Sequence, residues 1–391
     1  MAFALLNPYR RGELRTPPAP LAATAFHRRL PGYMPTPLRQ LRGIARRLGI
    51  AGLYLKDESN RLGLPAYKVL GAVWAIYRII ERLTGERLDG WGTLDELGDR
   101  LRRSGIERLT AATDGNHGRG VARVARWLGL GAEVFVPRGT ARARVEAIAS
   151  EGAVVTVVDG TYDATVERAA GSRRAGDLLV QDHGWPGYEE VPAWVAEGYA
   201  TIFREVDETL TAEGAVPPDL VLVQIGVGTL ASAVVRHYRR AGLEPAPRLV
   251  GVEPTGAACA LRSIEAGHPV RLEVGADASI MAGLNCGTPS SQAWPLLRDG
   301  LDGFVAVEDE SAQVAMRWLA AEGVMSGESG AAGLAGLIEL RNGAGGDEVR
   351  RALGLTARTV ALVISTEGVT DPASYGRIVG SRGEGAAGET A

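Results

Sequence analysis

The stretch Leu55-Lys-Asp-Glu-Ser-Asn-Arg-Leu-Gly-Leu-Pro-Ala-Tyr-Lys-Val-Leu-Gly71 predicts the end of a strand, a turn and the start of a helix. The strand is predicted at Gly52-Leu-Tyr-Leu-Lys56, and Lys68 falls in the first turn of a helix whose apolar run extends from Val69 to Ile80. The positive end of a helix and apolar neighbours both lower the cost of a neutral amine, the nucleophile that captures a carbonyl compound. Most helical lysines are solvated surface groups, so Lys68 needs support from other motifs.

Composition is that of a globular protein without a nucleic-acid or membrane partner. The chain has 391 residues, is 46% hydrophobic and 23% charged, and carries a formal net charge of −3. Its length predicts two domains, and its small net charge gives no indication of nucleic-acid binding. No segment reaches the apolar length of a membrane span and the N-terminus lacks the order of a signal peptide, which favours a cytoplasmic enzyme. Cys259 and Cys286 lack metal-ligand spacing, so two free thiols and no metal site are expected.

Short apolar runs alternate with helical patterns along most of the chain, and this alternation predicts parallel sheets built from right-handed crossovers. The first set of predicted strands is Arg108–Ala112, Ala132–Val136, Ala153–Val158 and Asp177–Gln181. The second set is Leu220–Gln224, Arg248–Glu253, Phe304–Val307 and Thr359–Ile364. Helices predicted between the strands include Gly118–Leu128, Arg142–Glu151, Ser232–Ala241, Ser311–Ala321 and Gly330–Arg341.

The predicted fold class is α/β, with two parallel-sheet domains, flanking helices and an active site in the interdomain cleft. The smaller domain is predicted at residues 106–190, and the larger one combines residues 1–105 and 191–391. Residues 1–30 are predicted to be irregular. Residues 382–391 are rich in Gly, Ala and Glu and predicted to be a disordered tail.

Polar side chains follow a predicted strand in Leu109-Thr-Ala-Ala-Thr-Asp-Gly-Asn-His-Gly-Arg-Gly120. Ligands of open parallel sheets bind beyond the carboxyl ends of the strands. Thr113, Asp114, Asn116 and His117 occupy that position here, among glycines that let a planar ligand approach. The alternative is a helix-capping turn, since Asp and Asn are common caps.

The glycine-rich segment Gln224-Ile-Gly-Val-Gly-Thr-Leu-Ala231 also follows a strand and opens a helix. Free N–H groups at a helix start bind phosphate, and Gly226 and Gly228 allow close backbone approach. The segment also fits the dinucleotide pattern G-x-G-x-x-A, with Glu253 at about the distance expected for a ribose contact. This motif alone therefore leaves a nicotinamide enzyme open.

Two further strand ends carry polar groups. In Asp182-His-Gly-Trp-Pro-Gly-Tyr-Glu189, a functional loop and a packed loop anchored by Trp185 and Tyr188 are equally supported. In Ala361-Leu-Val-Ile-Ser-Thr-Glu-Gly368, a hydroxyl at the strand end could hydrogen-bond a neutral pyridine nitrogen without forcing its protonation.

Four of these segments together resemble the fold-type II pyridoxal-phosphate enzymes, the group of threonine dehydratase and cysteine synthase, over about residues 36 to 372. In that group the lysine of a Ser/Ala–aromatic–Lys segment binds the cofactor covalently, as Lys68 of Ala66-Tyr67-Lys68 would here. The resemblance implies that Asn116 meets the 3′-oxygen of pyridoxal 5'-phosphate, and that Ser365, or failing that Thr366, meets the pyridine nitrogen. The implied phosphate cradle is Gly226, Val227, Gly228, Thr229 and Leu230, although Thr229 stands where glycine is more usual.

Asp114 replaces a residue that is small in the dehydratases of this group. With it, five segments resemble the diaminopropionate ammonia-lyases within the group: Lys56–Ser59, Thr113–Gly120, Gln181–Glu189, Ile280–Gly287 and Ser365–Gly368. The implied reaction is β-elimination of D- or L-2,3-diaminopropionate, or of both, to pyruvate and two ammonia. A carboxylate beside the cofactor suits a cationic substrate arm whose amine must be protonated before it leaves.

The resemblance also implies roles for single residues and an assembly. Lys68 is expected to take the Cα proton of the L-isomer and Asp114 that of the D-isomer. Asp182 is the next expected catalytic residue, and Thr113, Asp114, Asp182 and Tyr188 are expected to contact the small amino-acid substrate. The group further implies a homodimer.

Three alternatives stay open at this point. A serine or threonine dehydratase of the same fold would differ in its substrate, and Asp114 is the discriminating residue. An NAD-linked oxidoreductase would use the Gly226 segment but would leave Lys68 and Asp114 unexplained. A catalytically silent binding module would keep the pocket and have no need of Lys68.

Overall fold

Two β-sheets with helices on their faces organise the chain in a computed structural model that describes residues 3–18, 20–88, 90–113, 115–275, 277–342 and 347–380. Asp114 and the predicted disordered tail at 382–391 lie outside the described residues. The strands are β1 (Phe3–Leu6), β2 (Leu38–Gln40), β3 (Gly52–Asp57), β4 (Arg108–Ala112), β5 (Gly131–Pro137), β6 (Val154–Val158), β7 (Asp177–Leu179), β8 (Leu220–Gln224), β9 (Arg248–Pro254), β10 (Gly303–Val307) and β11 (Val360–Ser365).

The α-helices are α1 (Leu21–His27), α2 (Arg42–Leu48), α3 (Lys68–Thr84), α4 (Leu94–Arg103), α5 (Asn116–Trp127), α6 (Arg142–Ala149), α7 (Tyr162–Gly171), α8 (Glu190–Ala212), α9 (Thr229–Tyr238), α10 (Cys259–Ala266), α11 (Trp294–Gly300), α12 (Asp309–Ala321), α13 (Glu328–Asn342), α14 (Asp347–Ala352) and α15 (Pro372–Val379). Short 3₁₀ turns span Thr255–Ala257 and Ala282–Leu284. Within the described ranges, none of these helices is both long and apolar enough to cross a bilayer.

The larger sheet has the strand order β1-β10-β9-β8-β11-β3-β2 and the smaller sheet the order β6-β5-β4-β7. The smaller sheet is parallel throughout, and so are the five central strands of the larger sheet. The α/β class predicted from the alternating pattern is therefore confirmed. All strands of the smaller sheet fall between residues 108 and 179, and the division into two domains at residues 106 and 190 stays a prediction.

The two edges of the larger sheet differ from the prediction. β1 pairs antiparallel with β10, and β2 pairs antiparallel with β3. The prediction that residues 1–30 are irregular is wrong, because this segment contains β1 and α1. A four-residue strand and a seven-residue helix are too short to show a clear hydrophobic period, and pairing with β10 supplies the order that the local sequence lacks.

Helix α3 begins at Lys68 and buries nearly all of its apolar run, from Val69 to Ile80. It lies against α8, and the two backbones approach closely at Gly71 and Gly198. A β-carbon on Gly198 would lie 2.6 Å from the carbonyl oxygen of Leu70, so this crossing has no room for a side chain. The close approach fixes the first turn of α3, where Lys68 lies.

A buried ionic cluster supports the turn that precedes α3. We use "ionic cluster" for Lys56, Glu58, Arg61 and Glu205, whose side chains have no exposed surface in the ion pairs that they form. Lys56 Nζ lies 2.6 Å from Glu205, and Arg61 pairs with Glu205 at 2.7 Å and with Glu58 at 2.6 Å. Two cations and two anions balance, which is the condition under which buried charges are tolerated.

Candidate active site

A cleft lies at the carboxyl ends of five parallel strands, two in the smaller sheet and three in the larger. Its lining comes from the segments that follow β3, β4, β7, β8 and β11. The residues that line it include Tyr67, Lys68, Thr113, Asn116, His117, Asp182, Gln224, Gly226, Val227, Thr229, Leu230, Thr366 and Glu367. Strand ends on one edge of a parallel sheet converge, so residues far apart in sequence meet here.

Lys68 reaches the cleft from the first turn of α3 and pairs with Asp182. Lys68 Nζ donates a hydrogen bond of 2.6 Å to Asp182 Oδ2. The Lys68 side chain is 17% exposed and that of Asp182 is 3% exposed. His117 lies near the same carboxylate oxygen, with Nδ1 3.6 Å from Oδ2 and Nε2 2.8 Å from the carbonyl oxygen of Val180. The lysine amine therefore faces a fixed, buried acceptor.

Asp182 is ionised in this setting. Its burial opposes the charged form, but the positive charges of His117 and Lys68 outweigh burial and lower the pKa of the carboxyl to about 2. The main-chain oxygen of Asp182 accepts a 2.6 Å hydrogen bond from Thr229 Oγ1. Asp182 thus links the lysine to the glycine-rich loop.

The glycine-rich loop between β8 and α9 is shaped for an anion. Among the described residues, no hydrogen bond is found from the backbone N–H groups of Gly226, Val227 and Gly228. Gly228 has φ +95, and a β-carbon on Gly226 would lie 3.0 Å from the carbonyl oxygen of Gly283. Free N–H groups at the start of a ten-residue helix form a phosphate site, and Thr229 contributes its hydroxyl to Asp182 rather than extending the glycine run.

Asn116 begins α5 and is held from across the cleft. Its Nδ2 donates a 2.5 Å hydrogen bond to Glu367 Oε2. Glu367 is 1% exposed, and its other oxygen accepts from the backbone N–H of Ser329 at 3.1 Å. A carboxylate on the larger sheet thereby orients an amide on the smaller one.

The end of β11 presents one of its two hydroxyls to the cleft. Thr366 lines the cleft, and its Oγ1 accepts a 2.9 Å hydrogen bond from Gln224 Nε2. Ser365 is fully buried and donates to Ser326 Oγ at 2.8 Å, away from the lining. The geometry therefore favours Thr366, the second choice from the sequence, over Ser365.

Thr113 lies in the lining as expected, with its Oγ1 accepting from the backbone N–H of Gly115 at 2.9 Å. Tyr188 does not belong to the described lining. Its hydroxyl donates to the Leu179 carbonyl at 2.8 Å and accepts from the Gln181 N–H at 3.1 Å, and its ring stacks on Trp185. The hydroxyl thus donates and accepts within β7 and the loop that follows it, which favours the packing interpretation, and the substrate contact of Tyr188 stays a prediction.

Glu367 and Gln224 line the cleft but were not among the site residues predicted from the sequence. A polar residue at the end of a buried strand is a local signal that could have found both. Tyr199, from the middle of α8, also lines the cleft, with its ring 4.7 Å from that of Tyr67. Nothing local in the sequence distinguishes Tyr199 from the packing residues of that helix.

Glu253 is turned away from any ribose position. The residue is fully buried, and its two carboxylate oxygens accept 2.8 Å hydrogen bonds from the backbone N–H groups of Ala260 and Leu261 at the start of α10. A carboxylate that caps a helix has no free oxygen for a ligand, which removes the main support for a nicotinamide enzyme. Cys259 and Cys286 are buried free thiols, as expected.

Comparison with known proteins gives consistent results. Residues 29–355 match the family model described as pyridoxal-phosphate dependent enzyme. A diaminopropionate ammonia-lyase from Salmonella typhimurium is 37% identical over 372 residues, which cover 91% of this chain and 90% of that protein. A biosynthetic L-threonine dehydratase from Mycobacterium leprae is 30% identical over 333 residues, or 83% of this chain and 69% of that protein.

A solved structure supports the same relationship. The crystal structure of diaminopropionate ammonia lyase from Escherichia coli, in complex with an aminoacrylate-PLP azomethine reaction intermediate, superposes with a TM-score of 0.87 and 34% sequence identity. The superposition covers 97% of each chain. The similarity thus extends over both sheets and the cleft between them.

Proposed function

The chain belongs to the family of pyridoxal-phosphate dependent enzymes, and from that premise we propose that it is a lyase that eliminates ammonia from 2,3-diaminopropionate. The Cα–H and Cβ–N bonds of the substrate break, and the first ammonia leaves. The enamine that remains takes up water and gives pyruvate and the second ammonia. The observation that carries the proposal is the Lys68–Asp182 pair in a cleft that also contains an anion-binding loop.

The described residues fit pyridoxal 5'-phosphate. Lys68 would hold its aldehyde carbon, the N–H groups of the loop from Gly226 to Leu230 its phosphate, and Asn116 its 3′-oxygen. Thr366 offers a neutral hydroxyl to the pyridine nitrogen, which does not force protonation of that nitrogen. When bound, the cofactor supplies an electron sink for the breaking Cα–H bond, while the protein supplies orientation and charge.

The residues around Lys68 then divide the work of proton transfer. Lys68 takes the Cα proton of the L-isomer, and Asp114 takes that of the D-isomer. Asp182 keeps the lysine amine oriented through its 2.6 Å contact and balances the positive charge of the substrate arm. An unprotonated 3-amino group would have to leave as an amide anion, which is a very poor leaving group, so the group is protonated first and leaves as ammonia. Carboxylates at the site favour the ammonium form of that substrate arm.

A dehydratase acting on serine or threonine is the second candidate. The 30% identity to the threonine dehydratase favours it, since that enzyme shares the cofactor family. Both candidates would use Lys68 in the same way. They differ in the leaving group, and a carboxylate at position 114 is of less use to a hydroxy amino acid than to a substrate with a cationic amine arm.

The deciding experiment measures pyruvate or 2-oxobutyrate release by the purified protein with D- and L-diaminopropionate, D- and L-serine, and D- and L-threonine. We expect kcat/KM for diaminopropionate to exceed that for the hydroxy amino acids by at least about 10²-fold, the size of one acid–base contribution. Asp114→Asn should lose turnover of the D-isomer and keep more of the L-isomer. A preference for serine or threonine would contradict the proposed substrate. Full turnover by Lys68→Ala would contradict the proposed reaction.

The proposal includes the oligomeric state and the cellular compartment of the protein. We expect a homodimer in the cytoplasm, as the resemblance to this enzyme group implies. Light scattering on the eluting protein measures the mass directly, and a mass of one chain would contradict the dimer.

A further inference from the structure

A second cavity of about 200 Å³ lies beside the catalytic cleft, between the helix that follows β5 and the loops of the larger sheet. Among the described residues, it shares only Tyr162 with the lining of the cleft. Its polar lining includes Thr140, Arg144, Ser279, Asn285, Glu328 and Asp371. We propose that this cavity binds a free α-amino acid as a zwitterion, without covalent chemistry.

Arg144 forms the anion-binding end of the cavity. The residue is 8% exposed, and its Nε is buried without a hydrogen-bond partner in the described part of the chain. Its Nη2 donates to Thr370 Oγ1 at 3.2 Å, and no hydrogen bond from its Nη1 to a described residue is found, which leaves Nη1 for a ligand. Arg144 lies in the first turn of α6, which begins at Arg142 with no side-chain cap and no acidic residue in that turn. A guanidinium is matched by a carboxylate.

Glu328 forms the opposite end. It is the first residue of α13 and is 3% exposed, and its carboxylate has no hydrogen bond or ion pair with any described residue. A buried carboxylate without a partner is costly, and a ligand cation removes that cost. Asp371 also lines the cavity, next in sequence to the Thr370 that contacts Arg144, and its Oδ1 caps α15 through the N–H groups of Ala373 and Ser374.

The two ends together select for a small molecule that carries both charges. A simple anion would leave Glu328 without a partner, and a simple cation would leave Arg144 without one. Val274, Ile280 and Ala282 line the same cavity and offer apolar contact to a short side chain. An α-amino acid combines a carboxylate, an ammonium group and such a side chain within this volume.

The cavity also adjoins the parts that orient Asn116. The Arg144 side chain packs on Gly115, where a β-carbon would lie 3.2 Å from Arg144 Cδ. Ser329, the neighbour of Glu328, donates its backbone N–H to Glu367. A ligand that joins Arg144 to Glu328 therefore contacts residues next to both ends of the Asn116–Glu367 hydrogen bond.

The test uses the cofactor-loaded protein and N,N-dimethylglycine, a zwitterion whose tertiary amine cannot condense with an aldehyde. Calorimetric titration should show binding that weakens at least about 10-fold in Arg144→Gln and in Glu328→Gln, because each loses one charge-assisted contact. The matched control is Arg142→Gln on the same helix, whose side chain is 91% exposed and pairs with Glu146, and it should bind as the wild type does. Acetate and tetramethylammonium should each bind at least about 10-fold more weakly than the zwitterion.

Several results would overturn the site. They are no binding of N,N-dimethylglycine by the wild type, equal affinity in Arg144→Gln and Glu328→Gln, or acetate binding as tightly as the zwitterion. Loss of binding in Asn116→Ala with full binding in Arg144→Gln would place the probe in the catalytic cleft instead. If either variant fails to fold, a wild-type crystal soaked in the probe decides, since density in this cavity supports the site and an empty cavity contradicts it. Turnover of diaminopropionate is measured separately, so failure of this site and failure of the proposed reaction are distinguishable.

Discussion

Asp182 remains charged throughout the pH range in which enzymes of this kind work, because its pKa is lowered to about 2. We therefore expect Asp182→Asn to lower kcat at least about 10²-fold, since the neutral amide no longer balances the amine of Lys68 or the substrate arm. The cofactor should still load, because Lys68 and the glycine-rich loop are unchanged. Steady-state kinetics and the absorbance of the bound cofactor measure the two effects.

The control for that substitution is Asp159→Asn, an exposed carboxylate paired with Arg138. It should leave kcat unchanged. The pH profile gives a second check, since an acidic limb above pH 4 in the wild type that vanishes in Asp182→Asn would contradict a carboxyl that titrates near pH 2.

Glu367 is expected to act through Asn116 as a positioning residue. The 2.5 Å contact between them joins the Asn116 amide to the buried Glu367 side chain, and a buried group that loses its partner carries the cost of its desolvation. We predict a coupling free energy of about 1–2 kcal/mol between Glu367→Gln and Asn116→Ala in a double-mutant cycle on cofactor affinity. Fluorescence titration of the wild type, the two single variants and the double variant with pyridoxal 5'-phosphate measures this coupling. Strictly additive effects would contradict the role of Glu367 as a positioning residue.

Local sequence predicted some of these side chains better than others. Lys68, Asn116 and the loop from Gly226 are recognisable because each follows a strand and opens a helix, so its position depends on its own neighbours. The pairing of Asn116 with Glu367 spans 251 positions and depends on how the two sheets meet. The sequence could not choose between packing and substrate contact for Tyr188, because the partners of its hydroxyl, Leu179 and Gln181, depend on the fold.

Among the elements, the crossing of α3 and α8 offers a sharp test of packing. Gly198→Ala would place a methyl group 2.6 Å from the Leu70 carbonyl oxygen and 2.9 Å from Gly71 Cα, both backbone atoms that cannot turn aside. We expect the helices to separate and the free energy of unfolding to fall by about 1–3 kcal/mol, the usual range for overpacking. Urea unfolding gives the value, and a loss of kcat would show that the first turn of α3 has moved.

Gly376→Ala serves as the counterpart, because Gly376 lies in α15 and a β-carbon there would meet nothing within 4 Å. Alanine at an unobstructed helical position should raise stability by about 0.5–1 kcal/mol. Opposite signs for the two substitutions are the expected outcome. Equal effects would mean that the crossing tolerates a side chain after all.

The central strands were predictable, and the edge strands of the larger sheet were not. β4 and β8 have the bounds predicted from the sequence, because buried parallel strands read as short, continuous apolar runs. β1 and β2 have three or four residues and pair antiparallel at the two edges of the larger sheet. Their partners, β10 and β3, determine their conformation, so a local pattern could not predict them.

At the scale of the whole molecule, we expect the free energy of unfolding to depend on pH because His27 is buried. Burial lowers the pKa of His27 to about 3, with Nδ1 2.8 Å from Thr201 Oγ1 and Nε2 3.0 Å from the Leu70 carbonyl oxygen. Between pH 6.5 and 3 the unfolded chain binds a proton that the folded one does not, so stability falls as pH falls through this window. The contribution has a slope of up to about 1.4 kcal/mol per pH unit.

His27→Gln keeps a donor and an acceptor but cannot titrate, so its unfolding free energy should decline less steeply than that of the wild type between pH 6.5 and 5. Urea unfolding at several pH values compares the two slopes. His268→Gln, at an exposed position, should follow the wild type. Parallel curves for the wild type and His27→Gln would show that this imidazole does not contribute.

The ionic cluster of Lys56, Glu58, Arg61 and Glu205 has a consequence for protein engineering. Its members lie on a strand, a turn and a distant helix, and each neutralises another with no solvent to take over the task. Removing one member leaves a charge without a partner in the protein interior, which lowers the free energy of unfolding by about 3–5 kcal/mol. A designer who transplants the lysine-bearing turn into another scaffold must therefore carry all four residues together, or exchange them together for an apolar set of the same volume.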